Sequence, residues 1–278
     1  DSENVKTDIL DYAFEIEYFD SHVEIIINEL EKRNLLENTI IVVTSDNGMP
    51  FPRVKGQVFP FDNRLPLAIR WGKGIKNPGR VINDYVSFSD FAPTFLELAG
   101  IDLANQNMEE FSGTSWKNIF NDDPIKKKRN YMIIGKERHD VGRQNDKGYP
   151  VRAIIAGRYF YSLNFKPNRW PAGNPETGYL NTDGSPTKTE ILNLKREGLN
   201  EDYWNLSFGK RPEETLYDLR KNPDCIENIA QNNKYSFIKD SLRKVLIEDL
   251  TINKDPRILG YGDLFDNYTY AEKRTRNF

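Results

Sequence analysis

Residues Ile40 to Val43 form an unbroken β-branched run, followed directly by the polar stretch Thr44-Ser45-Asp46-Asn47-Gly48. Branching at Cβ favours extended backbone, and a run with no polar residue reads as a strand buried on both faces, as in a parallel sheet covered by helices. A long helix precedes it. Ile9, Ala13, Ile16, Phe19, Val23, Ile27 and Leu30 recur at spacings of three and four. This predicts one amphipathic helix from about Val5 to Asn34, with Glu15, Glu17, Glu24 and Glu31 largely off the apolar stripe. Helix, short connection, buried strand and polar loop follow one another as in an open α/β sheet, whose ligands bind beyond the carboxyl ends of the strands.

A second apolar strand is expected at Leu65–Trp71, then a helix capped by Ser89 or Asp90, with Pro93 in its first turns and Gly100 at its end. Residues 102–130 read as loop, with the basic run Lys126–Arg129 on a solvated stretch. From Tyr131 the pattern changes: residues 131–135, 151–157 and 158–165 read as strands, the last two an antiparallel hairpin around Gly157. Residues 166–212 read as one long polar loop, a length that is usually functional or packed against a neighbouring domain. A short strand, Thr215 onward, and an amphipathic helix over Lys234–Asn253 close the pattern, with a surface tail from Asp255. The change near residue 130 predicts two domains, 1–130 and 131–278.

Composition narrows the function classes. Lys and Arg number 39 against 42 Asp and Glu, a net charge of −3, which argues against a general nucleic-acid binder with its basic face. No apolar run approaches the roughly 18 residues of a membrane span, so none is expected. The first ten residues do not read as a secretion signal, as a processed or truncated N-terminus also would not. The 16 Phe, 14 Tyr and 4 Trp supply a core, and the single Cys225 excludes an internal disulfide and a Cys-rich metal site.

The chemistry is expected in the loop after the first buried strand. Asp46 and Asn47 are hard oxygen donors suited to calcium or magnesium, and Gly48 lets the chain turn so that both converge; Asp-Asn-Gly is equally a plain turn. Two donors leave a shell of about six to eight unfilled. Nine residues past Asp46 stands Lys55, with Arg53 nearby, a cation able to clamp an anionic oxygen or simply to face solvent. His139 lies among Arg138, Asp140 and Arg143, a cluster that could hold a sulfated or carboxylated ligand or merely be exposed.

Five stretches then follow one another in a family order: TIIVVTSDNGMPFP (39–52), LPLAIRW (65–71), SFSDFAPTFLELAGI (87–101), FSGTSWKNIF (111–120) and ETLYDLRKNPDCIENIA (214–230). Together they resemble the second half of the formylglycine-dependent sulfatases. Residues 46–52, 137–154 and 163–176 look closest to the sulfamidase branch, the N-sulfoglucosamine sulfohydrolases acting on heparan-type sugars. The resemblance implies an alkaline-phosphatase-like α/β fold with a smaller antiparallel subdomain from about Tyr131. It implies calcium as cofactor, with Asp46 and Asn47 as ligands, Lys55 on the sulfate, and His139 and Arg143 near the pocket mouth, reading the sugar. The substrate would be a sulfated saccharide, cleaved at a sulfate ester or sulfamate, and the setting periplasmic or secreted.

One departure is large. The Cys/Ser-x-Pro-x-Arg motif that yields formylglycine is missing: Cys225 precedes Ile-Glu-Asn and Ser185 precedes Pro-Thr-Lys. The chain is therefore expected to be the C-terminal part of a longer sulfatase and inactive alone. Its partner would be the N-terminal part, supplying nucleophile, remaining calcium ligands and further strands. The alternatives are a phosphatase or phosphonate hydrolase of the same superfamily, or a non-catalytic glycan-binding scaffold.

Overall fold

The computed structural model describes residues 2–104, 107–125 and 128–268. In chain order the elements are α1 (Glu3–Lys32), β1 (Ile41–Thr44), α2 (Pro60–Asn63), β2 (Leu67–Arg70), α3 (Phe91–Leu98), α4 (Lys117–Phe120), β3 (Met132–Lys136), β4 (Val151–Ala156), β5 (Tyr159–Asn164), α5 (Pro186–Arg196), α6 (Glu201–Phe208), β6 (Glu214–Asp218) and α7 (Ser236–Ile252). They divide into two compact units. One comprises Glu17–Thr44 and Pro66–Asn130; the other gathers Asp1–Ile16 and Ser45–Leu65 with Tyr131–Phe278. The chain crosses between the units after Ile16, Thr44, Leu65 and Asn130, and the second and third crossings place the loop after β1 in the unit of the later strands. None of the described helices is long and apolar enough to cross a membrane.

In the first of these units β1 pairs antiparallel with β2, Ile41 opposite Arg70 and Thr44 opposite Leu67. This corrects the expected parallel strand buried on both faces. All four residues of β1 are half-buried, and among the described residues β2 is its partner. β-Branching makes the segment extended, but burial on both faces needs flanking strands and two covering layers, which this two-stranded sheet lacks. The stripe of α1 behaves likewise: no residue of the helix is buried, and Ile9, Ile16 and Phe19 are about half exposed.

The helix expected after Ser89 begins with a capping box. Ser87 and Asp90 satisfy each other's backbone N–H groups. Fully buried Asp90 also accepts hydrogen bonds from Thr114 N at 2.7 Å and Trp116 Nε1 at 2.9 Å, and both guanidinium nitrogens of Arg129 at 2.6 and 2.5 Å. Burial alone would raise the Asp90 pKa, but the Arg129 pair and three further donors hold it below the ordinary carboxylate value. Arg129 is therefore a brace rather than a solvated cation. Lys128 pairs with Asp84, while Lys126 and Lys127 of the same run lie outside the described residues.

The other unit is built on a four-stranded antiparallel sheet in the order β3-β4-β5-β6. The expected hairpin closes between Ala156 and Tyr159, with Gly157 at φ +56° in the two-residue turn. Side chains alternate across the sheet. Ile154, Tyr161, Leu163 and Leu216 pack against Leu242, Leu246 and Leu250 of α7, each fully buried leucine contributing about 1.5–3 kcal/mol. On the opposite face Val151, Ala153, Phe160 and Tyr217 meet Val58 and Phe59, which anchor the loop after β1 onto the sheet. The long segment 166–212 is not one loop. It holds α5, with Pro186 in its first turn and the Ser185 hydroxyl accepting from Lys188 N at 3.1 Å, and α6.

Candidate functional site

The loop Ser45–Arg64 is shaped by Asp62, a buried carboxylate on α2. Its Oδ1 accepts from Gly48 N at 3.0 Å and its Oδ2 from Gln57 N at 2.8 Å, so one side chain ties both ends of the turn. A Cβ on Gly48 would stand 2.6 Å from Asp62 Oδ1, which is why glycine follows Asp46-Asn47. Burial raises the Asp62 pKa, opposed by those two backbone donors and by the charges of Lys136 and His139. Asp46 is exposed at the turn. The Asn47 amide nitrogen donates to Gly48 O at 2.8 Å, which leaves Oδ1 as the atom available to a ligand. These two residues suit a hard cation in kind but not in number: no group of three or more His, Cys, Asp or Glu that could hold a metal occurs among the described residues.

Lys55 and His139 come together through Gly56. Gly56 has φ +73°, and a Cβ there would lie 2.5 Å from His139 Cγ, so the imidazole rests directly on the backbone next to Lys55. His139 Nδ1 meets Asn181 Oδ1 at 2.7 Å. An amide oxygen accepts, so in this pairing Nδ1 is the donor. Asn181 is fully buried, and among the described residues its Nδ2 has no hydrogen-bond partner. Lys55 Nζ donates to Asp183 Oδ2 at 2.8 Å, with the two side chains 29% and 39% exposed. The segment bearing Asn181 and Asp183 is held from below: Lys188 Nζ donates to Tyr179 O at 3.1 Å and Thr182 O at 2.7 Å.

Two arginines of the sequence reading are structural. Arg143 is buried, and its guanidinium donates to Lys147 O at 2.6 Å, Asp140 O at 3.0 Å and Trp170 O at 3.3 Å. Burial, with neighbouring cations, lowers its pKa to about 10. It organises the loop carrying His139 instead of standing at a pocket mouth, because three carbonyls claim its donors. Arg53 donates to Asp224 O at 2.7 Å and Cys225 O at 2.5 Å while its guanidinium lies over the Phe59 ring. Lys136 is buried, with Nζ 3.4 Å from Pro171 O, and desolvation pushes its pKa well down.

Asp62, Asn181, Asp183 and Lys188 escaped the sequence reading. The signal for the last two was the Asp-Gly-Ser-Pro-Thr-Lys stretch at 183–188, a turn running into a Ser-capped helix. A hollow of about 440 Å³ lined by Pro93, Glu97, Phe111, Thr114 and Lys117 belongs to the unit of β1 and β2 and includes none of these residues.

Residues 2–101 match the family model described as Sulfatase. The chain is 30% identical over 271 residues to an ulvan-active sulfatase of Formosa agariphila, covering 94% of this chain and 41% of that protein. It is 25% identical over 247 residues to the human N-sulphoglucosamine sulphohydrolase, covering 85% of this chain and 46% of that protein. Among solved structures, one determined in complex with its substrate D-glucosamine-2-N,6-O-disulfate superposes with a TM-score of 0.56 at 21% identity, over 85% of this chain and 39% of the other. The chain thus spans less than half the length of these relatives.

Proposed function

The chain belongs to the sulfatase family, and from that premise we propose that it carries the anion anchor and part of the sugar pocket of a sulfuric ester hydrolase acting on glycosaminoglycan-type sugars. Its fold is the alkaline-phosphatase-like α/β fold of its structural neighbours. The observation that carries the reading is the convergence of Lys55 and His139 on Gly56, in the same loop as Asp46 and Asn47.

In this reading the Lys55 ammonium donates to a sulfate oxygen and stabilises the negative charge that grows as sulfur is transferred. His139, held by Asn181 through Nδ1, hydrogen-bonds a sugar hydroxyl through its other ring nitrogen. Asp46 and Asn47 would supply two oxygens to a calcium ion, which when bound adds positive charge beside the anion. Their two donors do not complete a shell, so no step is routed through the ion. The formylglycine nucleophile has no motif among the 278 residues, and its supply from outside them is part of the proposal. A periplasmic or secreted setting goes with this reading.

Binding of N-sulfated and 6-O-sulfated glucosamine, with unsulfated glucosamine as control, tests it by titration calorimetry, alongside sulfate release. Sulfated sugars are expected to bind at least about tenfold more tightly, and Lys55→Ala to remove that advantage, as loss of a charge-assisted contact requires. Equal affinity for sulfated and unsulfated sugar would defeat the proposal. In a complete enzyme Lys55→Ala is expected to lower turnover by about two orders of magnitude.

A further inference from the structure

Lys55 is not a bare cation. Its ammonium has three donors, and Asp183 Oδ2 takes one of them at 2.8 Å. Both side chains are partly exposed, so an incoming anion reaches the pair rather than the lysine alone. The carboxylate is not on a swinging loop. Asn181 two residues earlier is fully buried, Thr182 O is bound by Lys188, and Ser185 two residues later caps α5. An anion on Lys55 therefore takes the remaining donors with the carboxylate still beside it.

We propose that Asp183 is a specificity-determining residue that sets the charge the site accepts, admitting singly charged sulfate esters and sulfamates and disfavouring doubly charged phosphate esters. The inference rests on Lys55 being the anion anchor. A sulfate monoester or sulfamate carries one negative charge, whereas a phosphate monoester carries about −1.5 to −2 near neutral pH. Lys55 paired with Asp183 is electrically neutral, so every additional ligand charge meets repulsion that the lysine no longer offsets. For a partly exposed carboxylate next to the bound group, one extra unit of ligand charge corresponds to about a tenfold loss of affinity. The filter acts on charge and not on shape, since both groups are tetrahedral and of similar size.

The test uses the full chain with methyl sulfate and methyl phosphate as probes, titrated at pH 8 and constant ionic strength. Asp183→Asn is expected to raise affinity for methyl phosphate about tenfold more than for methyl sulfate, and Asp183→Glu to keep the wild-type preference. At pH 5, where methyl phosphate is mainly singly charged, the extra gain of Asp183→Asn is expected to vanish, which a merely structural role would not produce. A uniform change for both probes, or weaker binding of both, in a folded Asp183→Asn chain overturns the charge filter. Lys55→Ala separates the two levels: binding that survives it ends the anchor reading itself. Binding lost in Lys55→Ala, with no change of preference in Asp183→Asn, ends only the filter.

Discussion

Replacing Asp62 by alanine tests whether one carboxylate holds the loop that bears Lys55. The side chain is 6% exposed and accepts two backbone hydrogen bonds, from Gly48 N and Gln57 N. Alanine leaves both donors without their partner in a largely dry place, at about 1–3 kcal/mol each when no water reaches them. Part of this is recovered, because burial penalises the carboxylate itself and raises its pKa. The net expectation is a loss of about 2–4 kcal/mol. Asp62→Asn keeps one acceptor oxygen and turns an NH2 toward the other donor, so about half that loss is expected. Urea unfolding followed by tryptophan fluorescence reads the change as a shift in midpoint at constant slope. Binding of the sulfated sugar is expected to weaken in the same order, alanine more than asparagine, since the loop carries Lys55. An Asp62→Ala chain that unfolds within about 0.5 kcal/mol of wild type would refute the tie, whatever its binding.

Other substitutions probe the remaining contacts. Gly56→Ala places a methyl group against the His139 ring at a left-handed backbone position, so it is expected to cost about 1–3 kcal/mol and to weaken sulfated-sugar binding, both measured as above. Asp90 has a folded pKa held below its ordinary value of 3.8. Its stabilising contribution is therefore present above pH 3.8 and lost as pH falls through the lower folded value; Arg129→Ala is expected to flatten this acid limb of stability, read by unfolding from pH 2 to pH 6. Asp46→Ala is expected to remove calcium affinity measured by titration of the intact protein, and unchanged affinity would take Asp46 out of the ligand set.

Local chemistry made much of this molecule readable from its residues. Two strand-forming runs, Val151–Ala156 and Tyr159–Asn164, on either side of Gly157 dictate a hairpin, and the spacing of Leu242, Leu246 and Leu250 dictates the buried face of α7, because both patterns follow from backbone geometry over a few residues. Asp46, Asn47 and Lys55 stood out for the same reason: a hard-donor turn and a nearby cation are contiguous in sequence. What a strand pairs with, and what a side chain spends its donors on, are decided through space. The β-branched run became a half-buried antiparallel strand, and the apolar stripe of α1 is exposed from Ile9 to Phe19 and only half-buried at Val23, Ile27 and Leu30, since burial depends on how many layers surround an element and not on its own pattern. Arg143 turned inward because three carbonyls at 140, 147 and 170 converge on it. Asp183 reached Lys55 across 128 residues, a meeting that no local spacing encodes and that only the folded chain brings about.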